Sequence, residues 1–173
     1  MRRLEVLAVE GIPEVVRGDV VAELIAGATT VRGPALSGGD VVVVTQKVVS
    51  KAEGRLVELD PDDPDARRSL VESHSVRVLR RRSELLISET PQGFVCANAG
   101  IDLSNVAAGH AALLPVDADR SARRIRDGLR ARLGLEVGVV VSDTFGRPWR
   151  RGVTDVAIGC AGVAALVDLR GSA

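Results

Sequence analysis

The sequence predicts a mixed α/β or α+β domain, with a mixed sheet and two or three flanking helices, and not a doubly wound Rossmann fold. Short β-branched apolar runs and segments with helical periodicity both occur, but they do not alternate in a regular βαβ rhythm. The 173 residues, 46% of them hydrophobic, suffice for the core of one domain spanning residues 1–173.

The first quarter of the chain predicts two strands with a helix between them. A strand is expected at residues 4–9. Apolar residues recur at helical spacing over residues 20–28, which predicts an amphipathic helix. Residues 41–45 form the clearest buried strand because four consecutive valines precede a threonine. Lys47 and Lys51 therefore lie just beyond a strand end.

Asp62-Asp63-Pro64 is a typical helix start, and it predicts a charge-rich helical segment running towards residue 82. Leu79 is expected on its inner face. Arg77 and the arginines at residues 80–82 could bind phosphate, but such a run is more often a solvated face.

Further strands are predicted at residues 84–88 and 94–97, joined as a hairpin, and at residues 112–115. A second amphipathic helix is predicted over residues 121–133, with Gly134 as its stop signal.

The valine run that begins at Val139 stops at an adjacent carboxylate and hydroxyl, Asp143 and Thr144. Functional groups tend to lie where a buried strand ends, and hard oxygen donors there suggest a cation. Arg147 and Arg150 follow, and they are candidate clamps for a substrate carboxylate or phosphate because arginine binds such groups through two hydrogen bonds. The alternative is an ordinary Asx or Ser/Thr turn.

A second polar loop follows the strand that begins at Gly93. Asn98, Asp102, Ser104 and Asn105 alternate with small or apolar residues, so several side chains could converge on a ligand. Magnesium typically takes one or two carboxylates plus substrate phosphates, so one aspartate from each loop would suffice. The alternative is a solvated turn.

Composition and missing motifs narrow the classes of function. The 23 basic and 23 acidic residues cancel, and there are only two Phe, one Trp and no Tyr, so neither a nucleic acid nor a membrane is expected as a partner. The two cysteines fit a cytoplasmic protein. Glycine-rich nucleotide loops and the Gly-x-Ser-x-Gly elbow do not occur in the sequence. The remaining candidate functional groups are lysines, aspartates, a threonine and arginines. Such a set suits phosphoryl transfer.

The sequence resembles the coenzyme F420-0 gamma-glutamyl ligase family, and the matching segments follow the same order over nearly the whole chain. The segments that carry the resemblance are Gly11-Ile-Pro-Glu14, Val41-Val-Val-Val-Thr-Gln-Lys-Val-Val-Ser-Lys51, Asn98-Ala-Gly-Ile-Asp-Leu-Ser-Asn-Val106, Leu114-Pro-Val-Asp117 and Ser142-Asp-Thr-Phe-Gly-Arg-Pro-Trp-Arg150.

The resemblance implies a GTP-dependent ligase that adds L-glutamate to the deazaflavin coenzyme precursor and extends a gamma-linked tail through an acyl phosphate. It implies a divalent metal, Mg²⁺ or Mn²⁺, with K⁺ as a further candidate ion. It also implies a homodimer.

Carried over position by position, the resemblance assigns the nucleotide to Gly11, Ile12, Pro13, Glu14, Gln46, Lys51 and Asn105. Lys51 is also expected to act in catalysis, together with Arg147 and Arg150. The resemblance assigns the metal to Asp102, Asp143 and Thr144.

Members of this family continue past the point where this chain stops, so the chain is expected to lack their C-terminal segment. Two other functions fit the same residues. One is a catalytically inactive module that binds nucleotide or deazaflavin, and the other is a different metal-dependent phosphotransferase.

Overall fold

The computed structural model describes residues 3–31, 33–60, 62–63, 65–147 and 149–171. The helices are α1 (Val21–Val31), α2 (Gln46–Ala52), α3 (Ala66–Ser73) and α4 (Ala118–Leu133), with a short 3₁₀ turn at Asn98–Gly100. The strands are β1 (Val41–Thr45), β2 (Leu56–Glu58), β3 (Arg77–Arg82), β4 (Leu85–Glu89), β5 (Val95–Ala97), β6 (His110–Ala112), β7 (Gly138–Arg147) and β8 (Arg150–Ala161). None of the helices among these residues has the length and apolar character needed to cross a membrane.

The main sheet has the order β1-β7-β8, with β1 parallel to β7 and β7 antiparallel to β8. Its register places Val42 beside Val139 and Val44 beside Val141, and all four side chains are buried. Helix α4 packs against β7 and β8, α1 packs against α4, and the two helices together supply eight of the seventeen buried residues of the larger core cluster. Each buried aliphatic side chain here contributes roughly 1.5–3 kcal/mol to folding. Val43, of opposite orientation in β1, is 63% exposed.

A smaller unit packs beside this sheet. Strands β3, β4 and β5 form an antiparallel sheet, and β2 pairs with β6. A second core cluster of Val71, Leu86, Ala99, Ile101, Ala111 and Leu113 fills the space beneath α3. The mixed α+β class is therefore confirmed, and the helices number four among the described residues.

Helix α4 begins and ends as its sequence predicts. The Asp117 side chain accepts a hydrogen bond from the Arg120 backbone N–H at 2.8 Å, and Gly134 adopts the left-handed conformation (φ 69°) that closes the last turn. Asp119, in the first turn, accepts a hydrogen bond from the Cys160 N–H at 2.7 Å and so ties the helix to β8.

Two predicted elements are wrong. Residues 4–9 do not form a strand, because no described strand pairs with them, and Leu4 and Val6 are about nine-tenths exposed. The helix predicted towards residue 82 stops at Ser73, and residues 77–82 pair with β4 as strand β3. Leu79 is 46% exposed instead of inward. The Pro64 of the predicted helix start lies outside the described residues.

Two predicted boundaries also shift. The strand expected at residues 112–115 is observed at His110–Ala112, because the carbonyls of Leu113 and Leu114 leave the ladder and accept hydrogen bonds from side chains. The valine strand does not end at Asp143. It continues to Arg147 because β8, a strand that the sequence did not predict, pairs with it throughout.

Gly159 of β8 passes so close to α4 that no side chain fits there. A Cβ at this position would lie 2.3 Å from the Ala118 carbonyl carbon, whereas a Cβ at Gly146, on β7, would meet nothing within 4 Å. We therefore expect Gly159→Ala to lower the free energy of unfolding by about 3 kcal/mol, and Gly146→Ala to change it by less than about 0.5 kcal/mol. Urea denaturation of both variants measures this difference. Equal stabilities would contradict the close approach of β8 to α4.

Candidate functional site

The candidate site lies where β1 ends and β7 continues. Thr45, the last residue of β1, pairs with Ser142, and the chain then turns directly into α2. From Asp143 onwards no strand among the described residues therefore pairs with β7 on its β1 side. Lys47, in the first turn of α2, and the loop that carries Asp102 occupy this end of the sheet. We call Asp102 and Asp143 the acidic pair.

Asp102 is held by contacts to both of its carboxylate oxygens. Lys47 Nζ lies 2.8 Å from Asp102 Oδ2 and also donates a hydrogen bond to Ser104 Oγ at 2.6 Å. The Ser104 backbone N–H donates to Asp102 Oδ1 at 2.7 Å. Burial alone would raise the pKa of Asp102, but the hydrogen bonds from Lys47 and Ser104 bring it below its usual value.

Asp143 has a different environment. Burial raises its pKa to about 6; the backbone N–H of Thr144 opposes this shift, while the negative charge of Asp102 adds to it. Burial, followed by the charge of Asp143, raises the pKa of the neighbouring Cys96 thiol to about 11. Asp143 forms no ion pair among the residues the structure describes. In the acidic pair, the charge of Asp102 is thus balanced by Lys47, whereas burial destabilises the charged form of Asp143.

Thr144 brings a third carboxylate to the site. Its hydroxyl Oγ1 donates a hydrogen bond to Asp155 Oδ1 at 2.6 Å, and the two residues face each other in the β7–β8 ladder. The charge of Asp155 also acts on Asp143. Asp155 was not predicted as a site residue because strand β8, which carries it, was not predicted from the sequence. An isolated aspartate inside the β-branched run Val153-Thr154-Asp155-Val156 was the available signal.

The loop that carries Asp102 follows an unusual backbone turn. Asn98, Ala99 and Gly100 all have positive φ, at 50°, 54° and 69°. Two non-glycine residues in this region cost folding free energy, so the surrounding structure must impose the turn. Asn98 Oδ1 accepts the Leu86 N–H at 3.0 Å, and a Cβ on Gly100 would lie 2.8 Å from the side chain of Leu114. The position of Asp102 is therefore fixed by packing of the preceding turn against both core clusters.

The segment at residues 11–14 reaches the site through an ion pair. Glu14 is an exposed partner of Lys51, which lies one turn after Lys47 on α2. Ile12 packs against the larger core, while Gly11 and Pro13 are exposed. The two lysines of α2 thus bind carboxylates from two different loops.

Gln46 and Asn105 have contrasting positions. Gln46 is 1% exposed, and its Nε2 donates to Leu113 O at 2.9 Å and to Ser50 Oγ at 2.7 Å, so its side chain faces the core. Its Oε1 has no hydrogen-bond partner among the described residues. Asn105 is exposed and adopts a left-handed conformation (φ 53°), which asparagine tolerates better than most residues.

The predicted clamps, Arg147 and Arg150, lie at the far end of the β7–β8 hairpin and are paired with each other in the ladder. Arg147 is four residues beyond Asp143 along an extended strand, a separation of about 13 Å between Cα atoms. Its Nη2 donates to the Arg151 carbonyl at 3.3 Å. The structure therefore does not bring these arginines into contact with the acidic pair.

The oxygen donors suit one kind of metal site. Among the described residues no group of three or more His, Cys, Asp and Glu side chains is arranged to hold a metal ion. A Mg²⁺ or Mn²⁺ ion that takes two carboxylates and a hydroxyl, and completes its shell with water and phosphate oxygens, does not need such a group. Asp143 is half-buried without a cationic partner at hydrogen-bond distance among these residues, so the acidic pair fits such an ion, whereas the Thr144 hydroxyl is bound to Asp155.

Comparison with known proteins identifies related chains. Residues 11–173 match the family described as F420-0:Gamma-glutamyl ligase. The coenzyme F420:L-glutamate ligase of Methanopyrus kandleri is 43% identical, over 99% of this chain and 73% of the relative. The enzymes of the same name from Methanothermobacter thermautotrophicus and Archaeoglobus fulgidus are 42% and 40% identical, over 97% and 96% of this chain and 72% and 70% of the relatives.

The raised pKa of Asp143 predicts how stability depends on pH without metal. Because the folded pKa of about 6 lies above the ordinary aspartate value, the folded chain holds this proton more tightly than the unfolded chain between about pH 4 and 6. The contribution of Asp143 to stability therefore falls as pH rises through that window. We expect Asp143→Asn to be more stable than the parent at pH 7 by about 1–2 kcal/mol after allowance for solvent screening, and this difference to shrink near pH 4.

Urea denaturation in the presence of a chelator, at several pH values, measures this effect. Asp127→Asn, an exposed aspartate on α4, controls for the loss of one negative charge. A constant difference between the Asp143→Asn variant and the parent from pH 4 to 7 would contradict the burial cost.

Proposed function

The chain belongs to the F420-0:gamma-glutamyl ligase family, and on that premise we propose that it attaches L-glutamate to the coenzyme F420 precursor. We propose further that GTP drives the reaction and that a divalent ion, Mg²⁺ or Mn²⁺, supports it, with K⁺ as a candidate additional ion. The observation that carries this proposal is the acidic pair beside Lys47 and Lys51 at the end of the parallel strands. Such a combination suits binding of a metal and a polyphosphate together.

In this proposal the nucleotide lies between the segment at residues 11–14 and the first turns of α2. Lys51 exchanges Glu14 for a phosphate, and the exposed Asn105 adds a polar contact. A contact from Gln46 would come from its backbone, because its side chain is buried. Asp102, Asp143 and Thr144 would hold the divalent ion, which neutralises phosphate charge when bound.

The proposed chemistry has two steps. An oxygen of the precursor's terminal carboxylate attacks the γ-phosphorus of GTP, which forms an acyl phosphate and releases GDP. The glutamate amine then attacks the acyl carbon, the amine loses a proton, and inorganic phosphate leaves. Repetition on the new γ-carboxylate lengthens the tail. Lys51 would stabilise the charge that develops on the phosphoryl oxygens. Arg147 and Arg150 remain candidates for holding a substrate carboxylate at the hairpin end of the site, away from the acidic pair.

We also propose that the chain works as a cytoplasmic homodimer. Val41 and Val43 are 51% and 63% exposed on the uncovered face of the main sheet, which supports association with a second copy. Cys96 and Cys160 are free thiols, as expected in a reducing compartment. Sedimentation velocity would contradict the dimer if the chain sedimented only as a monomer at micromolar concentration.

The proposal predicts that the purified chain, given GTP, Mn²⁺, L-glutamate and the deazaflavin precursor, forms glutamylated product detectable by mass spectrometry. Asp143→Asn removes a proposed metal ligand. Loss of a residue that only hydrogen-bonds a metal ligand typically lowers activity roughly 10–100-fold. Because Asp143 is a proposed ligand itself, we expect Asp143→Asn to lower the rate of product formation by more than that. The exposed Asp127→Asn variant should retain the parent rate.

Separate measurements distinguish the alternatives. Metal-dependent GTP binding without product would favour a binding module, and glutamate-independent phosphate release would favour another phosphotransferase. If the Asp143→Asn variant bound GTP and metal with the same affinity as the parent, the acidic pair would not be the metal site.

A further inference from the structure

Lys47 occupies an unexpected place at the candidate metal site. Its ammonium lies 2.8 Å from Asp102 Oδ2 and 2.6 Å from Ser104 Oγ, and its side chain is only 25% exposed. The other oxygen of Asp102 accepts the Ser104 N–H. Both oxygens of this proposed metal ligand are therefore already bound within the chain.

A lysine and a divalent ion would compete for this carboxylate oxygen. A Mg²⁺ ion bound to Asp102 Oδ2 would lie about 2.1 Å from that oxygen. With the ammonium 2.8 Å away on the same oxygen, the two positive charges would be no more than about 5 Å apart and would repel each other strongly.

We propose that Lys47 is a positioning residue that acts as an exchangeable counter-ion: it holds Asp102 in the metal-free chain and is released when the divalent ion binds. This inference rests on the proposed metal site. Lys47 is one residue past Gln46, which is anchored in the core, so the base of the side chain stays in place while the ammonium moves. The ion pair keeps Asp102 and the loop around Ser104 in position and limits the repulsion between Asp102 and Asp143 while no metal is bound. Metal binding thus becomes an exchange of one cation for another.

The first test measures the affinity of the full chain for Mn²⁺ alone, from the electron paramagnetic resonance signal of the free ion, without nucleotide. Lys47→Met removes the competing ammonium and keeps an apolar stem of similar length. We expect it to bind Mn²⁺ about fivefold more tightly than the parent, the upper range for releasing one partly exposed ion pair. Lys51→Met removes the same charge one turn along α2. Because Lys51 pairs with Glu14 in the parent, the affinity of this variant for Mn²⁺ should stay within twofold of the parent.

The outcomes separate this inference from the proposed function. Mn²⁺ binding to the parent, with equal or weaker binding to Lys47→Met, would overturn the counter-ion role and leave the metal site standing. No Mn²⁺ binding to either protein would overturn both. Binding to Lys47→Met alone would support the counter-ion role strongly.

A second test needs no variant at Lys47, so it holds even if Lys47→Met folds poorly. The chain has only two lysines, Lys47 and Lys51, so their ¹⁵Nζ ammonium signals can be assigned by nuclear magnetic resonance with Lys51→Met. We expect the Lys47 ammonium signal, protected by Asp102 and Ser104, to shift or exchange away as diamagnetic Mg²⁺ is added. The Lys51 signal should remain. A Lys47 signal unchanged at saturating Mg²⁺ would show that its ion pair survives metal binding.

Discussion

The candidate site depends on how helix α2 is attached to the core. Gln46 Nε2 and Ser50 Oγ both donate hydrogen bonds to the Leu113 carbonyl, at 2.9 and 2.6 Å, and both residues are almost fully buried. Buried polar contacts of this kind are costly to break, because an unpaired group would be left away from water. They fix the rotation of a helix of only seven residues, which could not hold its own position. With that face turned inward, Lys47 and Lys51 must project towards the two loops.

The charges of the site are balanced within the chain. Lys47 binds Asp102, Lys51 binds Glu14, and Thr144 donates its hydroxyl hydrogen to Asp155. Asp102, Lys51 and Thr144 thus each have an internal partner that a nucleotide or metal would have to replace. This arrangement reduces the repulsion among the carboxylates of the site, and it lowers the net gain from binding by the strength of each pair that is lost. Asp143 differs, since its half-buried carboxylate has no ion pair among the described residues.

The sequence predicted the carboxylates of the site better than the helices and strands that hold them. Asp102 and Asp143 were found because each follows an apolar run, a pattern that survives without knowledge of the fold. Helix α2 was missed because it is short, is rich in β-branched valines and starts at Thr45 without a side-chain cap. Strand β3 was misassigned because a run of arginines carries no clear period, and only pairing with β4 makes it a strand. The strand predicted at residues 4–9 has a suitable apolar composition, but composition cannot supply a pairing partner.

The point at which β1 ends determines why Asp143 is accessible at all. Up to Ser142, β7 lies between β1 and β8, and its side chains alternate between the core and the opposite face of the sheet. Because Thr45 is followed at once by α2, the next residue of β7 loses a neighbour while keeping β8 on its other side. Asp143 is therefore half-buried, with a raised pKa, at the point where the pairing with β1 ends. The same turn of the chain starts α2 and brings Lys47 to that opening. The direct passage from β1 into α2 thus ends the strand pairing beside Asp143 and also places Lys47 near it.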